Sequence, residues 1–220
     1  MTARPRVVAI DGAAGSGKST LARALARALG LAYINTGLMY RALAATAMDA
    51  HVSPDDQDAL VNLTRELTVT IEGADPSELR VEGYPREVLA AVEVEAIVSA
   101  VARHPGVRAL MRAAQRELGT RGGAVMEGRD IGSVVFADAP VKLYLSAGED
   151  ERALRRADER RADLGPTERA LAERDRLDAE TTPHVPADGA VIIDTTDLDV
   201  GRTLERALAV VARLAPELVA

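Results

Sequence analysis

The sequence predicts a three-layer α/β/α domain, a five-stranded parallel sheet with helices on both faces. Three observations carry that expectation. Short apolar runs rich in β-branched residues alternate with longer stretches of helical period along the 220 residues. The first apolar run passes through a glycine-rich loop directly into a helix pattern. One segment alone switches to an apolar–polar alternation, and it lies between helical stretches, where it reads as an insertion.

In chain order, Arg6–Asp11 (RVVAID) is the first buried strand. Thr20–Gly30 follows as a helix, with leucines at 21, 25 and 29 on one face and Gly30 as its stop. Leu31–Asn35 is the second strand, and Gly37–Ala50, rich in Ala, Leu and Met, is a helix. Ser53–Asp58 (SPDDQD) caps a helix that runs to about Leu67. Leu67–Glu72 and Glu78–Glu82 alternate apolar and polar residues on either side of Gly73–Pro76, which predicts a β-hairpin or small antiparallel sheet. Val88–Leu118 is helical with a break at His104–Gly106. Ala124–Glu127 is a central strand ending in a carboxylate, and Val141–Leu145 is the next strand. Glu149–Arg174 is helical, crowded with arginine and interrupted at Leu164–Pro166. Ala190–Asp194 is the last strand, Val200–Leu214 the closing helix and Pro216 its stop.

Composition narrows the function classes. A chain 47% hydrophobic and 28% charged is globular. No apolar run approaches the ~20 residues of a membrane helix, and Met1–Arg6 leads straight into the first strand without a signal-peptide pattern. With no cysteine there are no disulfides and no thiol chemistry. A cytoplasmic protein without membrane attachment is expected. The net charge of −7 argues against a nucleic-acid polymer as partner. Aromatics at 2% leave little with which to stack the bases of a single strand. A mononucleotide site is unaffected by this, because it needs local arginines rather than a basic protein.

Gly12–Ser19 reads GAAGSGKS, the complete G-x-x-x-x-G-K-[ST] phosphate-binding loop, and it lies between a strand and a helix as that motif requires. Gly12, Gly15 and Gly17 let backbone N–H groups turn inward around an anion. Ala13, Ala14 and Ser16 complete the cradle, with Thr20 beside it on the helix. The helix starting near Lys18 points its positive end at the same place. Lys18 is placed to reach the β- and γ-phosphates of ATP, and the Ser19 hydroxyl to ligate Mg²⁺. Of the 27 Lys and Arg, only Lys18 and Lys142 are lysine. In so arginine-rich a chain, lysine at this position marks a need for a compact ammonium.

The loop implies an NTP and Mg²⁺ without saying what for. A guanine-reading N-K-x-D motif is absent, and a small chain with this loop near its start suggests a small-molecule kinase. Such an enzyme needs a second pocket for the acceptor and arginines to neutralise the transferring phosphoryl group. Asn35–Arg41 (NTGLMYR) follows the second strand at the carboxyl edge of the sheet, where α/β proteins bind ligands. A helix N-cap with a surface arginine would leave the same letters. Asp130 follows a strand and a glycine at that edge. Glu127, ending its strand, is either a carboxylate near the Mg²⁺ waters or a helix cap.

Several segments together resemble the bacterial cytidylate kinases. Asn35–Arg41 resembles that family's D-[ST]-G-x-x-Y-R motif. Glu127–Pro140 (EGRDIGSVVFADAP) is similar to its G-R-D-[IM]-G-[ST]-V-V-F-P-[DN]-A signature. Val98–Arg108 resembles its S-x-V-A-x-x-P-x-V-R segment, Arg174–Asp178 its R-D-x-x-D, and Asp194–Leu198 its D-[ST]-[ST]-x-[LM]. The matches run in the family's order from Ile10 to Leu198, and the insertion from about 67 to 100 matches an extra segment of its longer members.

The resemblance implies a P-loop kinase fold with an insertion that binds the nucleoside monophosphate and an Arg-rich lid. It implies one domain over 1–220: a core of 1–35, 119–147 and 167–220, an acceptor-binding region of 36–118, and a lid at about 148–166. The implied reaction takes ATP and CMP or dCMP to ADP and CDP or dCDP with Mg²⁺, in a monomer. Thr36, Arg41, Arg129 and Arg174 would hold the acceptor phosphate. Ser99, Arg108 and Asp130 would read the cytosine, and Asp178 the sugar. Lys18, Arg129, Asp130 and Arg156 form the catalytic set. Arg152, Arg155 and Arg156 are the lid arginines, with Arg160 and Arg161 as further candidates; a solvated helix with ion pairs such as Glu151–Arg155 would look the same. Three positions depart from the family pattern: Asn35 replaces an aspartate, Ala137 a proline, and Thr181 an arginine that would reach the sugar or phosphate. The last bears on the choice between CMP and dCMP. Another small acceptor (AMP, UMP or shikimate), or a module that binds NTP without turnover, are the alternative readings.

Overall fold

The computed structural model describes residues 4–160, 163–183 and 185–219, and for Arg160 the backbone alone. The strands are β1 (Val7–Gly12), β2 (Ala32–Asn35), β3 (Val69–Glu72), β4 (Glu78–Val81), β5 (Ala124–Gly128), β6 (Val141–Ser146) and β7 (Val191–Asp194). The helices are α1 (Lys18–Leu29), α2 (Thr36–Asp49), α3 (Gln57–Glu66), α4 (Arg86–Leu89), α5 (Val92–Ala102), α6 (Pro105–Thr120), α7 (Glu149–Arg160), α8 (Leu164–Thr181) and α9 (Val200–Leu214).

All six residues of β1 are buried. It lies at the sheet centre between β5 and β6, parallel to both, which is why its sequence is continuously apolar up to Asp11. Its alternate side chains feed two separate cores. Val7 and Ala9 face α2, α5 and α6, while Val8 and Ile10 face α1 and α9. Leu21, Leu25 and Leu29 of α1 are all buried in the second core. Truncating a leucine so placed costs about 2–5 kcal/mol.

The five predicted strands form the parallel sheet β2-β5-β1-β6-β7, but the sheet does not stop there. Its full order is β3-β4-β2-β5-β1-β6-β7. The hairpin expected as a separate unit extends the edge at β2 instead. β3 and β4 pair antiparallel, and β4 runs parallel to β2 through Tyr33 and Glu78. The Tyr33 N–H donates to the Ser77 carbonyl at 2.8 Å. Glu78 is gripped by Arg23 of α1 at 2.7 Å and by Arg86 of α4. An open parallel edge has unpaired backbone groups, and the hairpin satisfies those at Tyr33.

Two helix boundaries also differ from expectation. The long helix breaks twice, at Ala90–Ala91 as well as before Pro105, which opens α6 at its first position, where a missing N–H is tolerated. The second interruption falls before Leu164 rather than at Leu164–Pro166. Gly165 and Pro166 lie in the first turn of α8, where Pro166 removes no intrahelical bond. The helix α8 then continues past Arg174 to Thr181. Its reach brings Arg174, Asp178 and Thr181 to one wall of the site.

Candidate active site

The parallel strands all end at the same edge, and there the phosphate-binding loop joins β1 to α1. Gly15 and Gly17 have φ of 74° and 87°, left-handed values that favour glycine. A Cβ on Gly12 would stand 2.3 Å from the Leu145 carbonyl oxygen, and one on Gly15 2.7 Å from that of Arg152. The helix α1 begins without a side-chain cap and without an acidic residue in its first turn. Its first N–H groups therefore remain available to an anion.

Lys18 is 8% exposed, and its Nζ donates to the Ala13 carbonyl oxygen. Burial, and then the nearby Arg129, push its ammonium down to about 7, against an upward pull from Glu127. The Ser19 hydroxyl donates to Glu127 at 3.0 Å, and the buried Tyr33 hydroxyl donates to the other oxygen of the same carboxylate. Burial first, and then the Glu127 charge, raise the Tyr33 phenol. Glu127 is thus no helix cap. A hydroxyl and a carboxylate brought together beside a phosphate cradle are hard oxygen donors that fit Mg²⁺ carried in by a nucleotide.

Asp11, which sequence reading treated only as a strand end, fixes the opposite wall. Its two carboxylate oxygens each accept a backbone N–H at 2.8 Å, from Ile131 and Gly132. Burial raises its pKa against those two bonds. The clamp sets the segment that carries Arg129 and Asp130.

Thr36, Arg41, Ser99, Arg108, Arg129, Asp130, Arg174 and Asp178 all line a single cavity, together with Lys18, Ser19 and Arg156. Arg129 donates to the Gly12 carbonyl oxygen at 2.7 Å and to Asp178 at 3.0 Å, so it bridges the loop and α8. Ser99 donates to Asp178 at 2.9 Å. Burial works to raise Asp178, but the Arg129 and Arg174 charges and the Ser99 bond outweigh it and hold the carboxyl low. Thr36 donates to the Glu127 carbonyl at 2.8 Å. Asp130 accepts from Arg108 at 2.7 Å and from Arg112 at 2.9 Å.

Sequence reading missed Arg112. The signal was its place one turn after Arg108 on α6, which puts both on one face. It also missed Glu95, onto which Arg41, Arg156 and Arg174 converge. Thr181, at the place where the family pattern has an arginine, lines the cavity wall, and Thr182 beside it accepts from Arg108 at 2.8 Å.

The three arginines expected in a lid do not point alike. Arg156 lines the same cavity. Arg155 turns the other way, donating to the Thr195 hydroxyl and carbonyl at 3.0 and 2.6 Å, on the outer flank of the loop beside Thr20. Arg152 is buried, bonded to Asp175 and to the Ala14 carbonyl, so it anchors α7 to the loop rather than swinging over the site. Arg161 lies outside the described residues, as does the side chain of Arg160.

Comparison with known proteins fits this geometry. The cytidylate kinase family matches residues 8–213. A cytidylate kinase of Roseiflexus castenholzii is 43% identical over 96% of this chain and 94% of its own length. A bifunctional pantoate ligase/cytidylate kinase of Gloeobacter violaceus is 43% identical over 94% of this chain, which spans only 42% of that longer protein. The crystal structure of an uncharacterized protein from Eubacterium ventriosum aligns with 94% of this chain and 97% of its own at a TM-score of 0.51 and 12% identity, a likeness of fold alone. A family match along nearly the whole chain, with a relative of similar length at this identity, establishes that the chain belongs to the cytidylate kinase family.

Proposed function

We propose that the chain transfers the γ-phosphoryl group of ATP to CMP or dCMP, giving ADP and CDP or dCDP, and that the residues above divide the work between a donor half and an acceptor half. The observation that carries this reading is the convergence of eight residues, spread from Thr36 to Asp178, on one cavity shared with Lys18 and Ser19.

In the donor half the loop amides and the start of α1 bind the polyphosphate. Ser19 and Glu127 would hold the Mg²⁺ that accompanies ATP, which when bound supplies neutralisation of charge on the β- and γ-phosphates. Lys18 is uncomfortable as a buried cation and regains a partner when phosphate arrives. In the acceptor half Arg41, Arg129 and Arg174 take the monophosphate. Burial, and then Arg129, push Arg174 down to about 9. A guanidinium keeps its charge near neutrality, so the shift expresses a demand for anions. Arg129, bonded to both halves, brings the two polyanions into line. No covalent intermediate is required; positioning and charge neutralisation by Lys18, Arg129 and Arg156 suffice.

Base selection falls to Asp130, Arg108 and Ser99. Cytosine offers an amino donor at C4 and acceptors at N3 and O2. A carboxylate accepts from the first and a guanidinium donates to the others. Uracil presents an oxygen at C4, which would face the Asp130 carboxylate with no proton between them. Among the described residues no helix is long and apolar enough to cross a membrane, and free nucleotides as substrates fit work in the cytoplasm.

The test is ADP release from ATP with CMP, dCMP, UMP, AMP and GMP offered in turn. Turnover confined to CMP and dCMP is expected. Turnover led by AMP or UMP would overturn the acceptor assignment, and ATP binding without turnover on any acceptor would overturn catalysis.

A further inference from the structure

The helix α5 carries a carboxylate that no step above uses. Glu95 stands one turn before Ser99, on the same face of α5, and its side chain is 14% exposed. A single oxygen, Oε1, accepts from Arg156 at 2.8 Å, from Arg41 at 3.2 Å and from Arg174. These guanidiniums come from α7, α2 and α8, so one oxygen ties three helices together across the cleft. Two of the three, Arg41 and Arg174, are the arginines assigned to the acceptor phosphate, and the third is the lid arginine of the cavity.

We propose that Glu95 is an internal competitor for the acceptor phosphate: its carboxylate holds the arginine trio in the free enzyme, and CMP must draw those donors away. The inference rests on the phosphate-site reading given above. Two physical effects drive it in the same direction. The N–H groups directed at Oε1 cannot at the same time be directed at a phosphate oxygen. A carboxylate within this cluster also repels an arriving dianion at short range and low solvent exposure. In the empty enzyme Glu95 neutralises crowded guanidiniums that burial and mutual repulsion would otherwise splay. Once the acceptor leaves as a diphosphate, Glu95 recaptures the trio and favours release. The residue therefore sets affinity and turnover without touching the reacting atoms.

If the latched state is about nine-tenths populated, it weakens apparent CMP affinity about tenfold. The Glu95→Gln variant, which keeps shape and loses charge, is expected to lower KM for CMP by about that factor without raising kcat. Cytidine, which has no phosphate, is the control: its Kd should change by less than about twofold. Inorganic phosphate should compete better against CMP in the variant than in the parent. Weaker CMP binding in Glu95→Gln, with cytidine unchanged, would overturn the proposal by showing that Glu95 organises the arginines for the phosphate. Equal weakening of CMP and cytidine would reduce it to a packing role and overturn it too. Arg174→Met separates the two levels. If that variant binds CMP and cytidine as the parent does, the phosphate-site reading fails whatever Glu95 does; if it loses CMP alone, that reading stands and Glu95→Gln decides the rest.

Discussion

On the function proposed above, the two halves of the site are built from different materials. The donor half is mostly backbone: three glycines, an uncapped helix start and a lysine within Gly12–Ser19, with the Glu127 carboxylate beside Ser19. The acceptor half is side chain: guanidiniums and carboxylates delivered by α2, α5, α6, α8 and the turn after β5, holding one another in place while empty. A backbone cradle is formed once and keeps its shape, because Gly12 and Gly15 have no room for a side chain. A cradle of charged side chains can rearrange, since each arginine has five donors and several carboxylates in reach. Rigidity suits a donor whose triphosphate never varies. Adjustable pairing suits an acceptor that must be admitted, selected and released.

The comparison can be broken at its strongest point. Lys18→Met is expected to lower kcat by on the order of 10²–10³, measured by coupled ADP release; an enzyme of near-parental rate would remove Lys18 from the transferring charge. Next comes the claim of rigidity. Gly15→Ala forces a side chain at φ 74° against the Arg152 carbonyl oxygen. It should destabilise by about 1–3 kcal/mol, read by denaturant unfolding, and weaken ATP more than CMP. The acceptor half should instead fail in selectivity. In Asp130→Asn an amide can donate to the C4 oxygen of uracil, and the ratio of kcat/KM for CMP over UMP should narrow about tenfold. An unchanged ratio would take Asp130 out of base reading.

Smaller effects sharpen the boundary between the halves. Arg155 and Arg156 are neighbours in sequence and face opposite sides. Arg155→Met should raise KM for ATP several-fold and leave that for CMP, and Arg156→Met the reverse, in steady-state kinetics with each substrate varied. The last effect is on stability and is read against pH. The Lys18 ammonium titrates near 10.5 in an unfolded chain and near 7 in the fold. Below pH 7 both states hold the proton, and folding bears the full cost of burying the charge. Between 7 and 10.5 the folded state sheds it first, and that cost is progressively relieved. Lys18→Met should therefore raise the thermal midpoint of the nucleotide-free protein most below pH 7, with the gain shrinking toward pH 10. A gain that grew with pH would contradict this.

The same contrast explains what could be read from the sequence. The phosphate cradle of the donor half lies in eight contiguous letters whose flanks are a strand and a helix, so local pattern contained it, while Glu127 reaches Ser19 from 108 residues away. The acceptor residues were collected through family motifs, and their convergence on one cavity is a tertiary fact. Arg112 carried a readable signal, one turn from Arg108. Asp11 carried a weaker one, a carboxylate at the end of an apolar strand. Glu95 carried none, because the arginines seen to reach it among the described residues lie 54, 61 and 79 residues away. The alternation of 67–82 identified a hairpin, but alternation says nothing about which edge a hairpin joins. Arg152, Arg155 and Arg156 were grouped by composition; helical geometry then sent them to an anchor, the donor flank and the acceptor cavity.

The docking of that hairpin bears on how the chain could be shortened. β2 has β5 on one side and β4 on the other, and it runs directly into Thr36 at the mouth of the acceptor cavity. Excising 67–100 as a dispensable insertion would strip Arg23 of its Glu78 partner and turn β2 into an outer strand with bare amides and carbonyls. Such an edge invites pairing with another molecule. The intact sheet also ends in an open strand, β3, so what the hairpin does is hold that open edge two strands away from the chain that leads into Thr36.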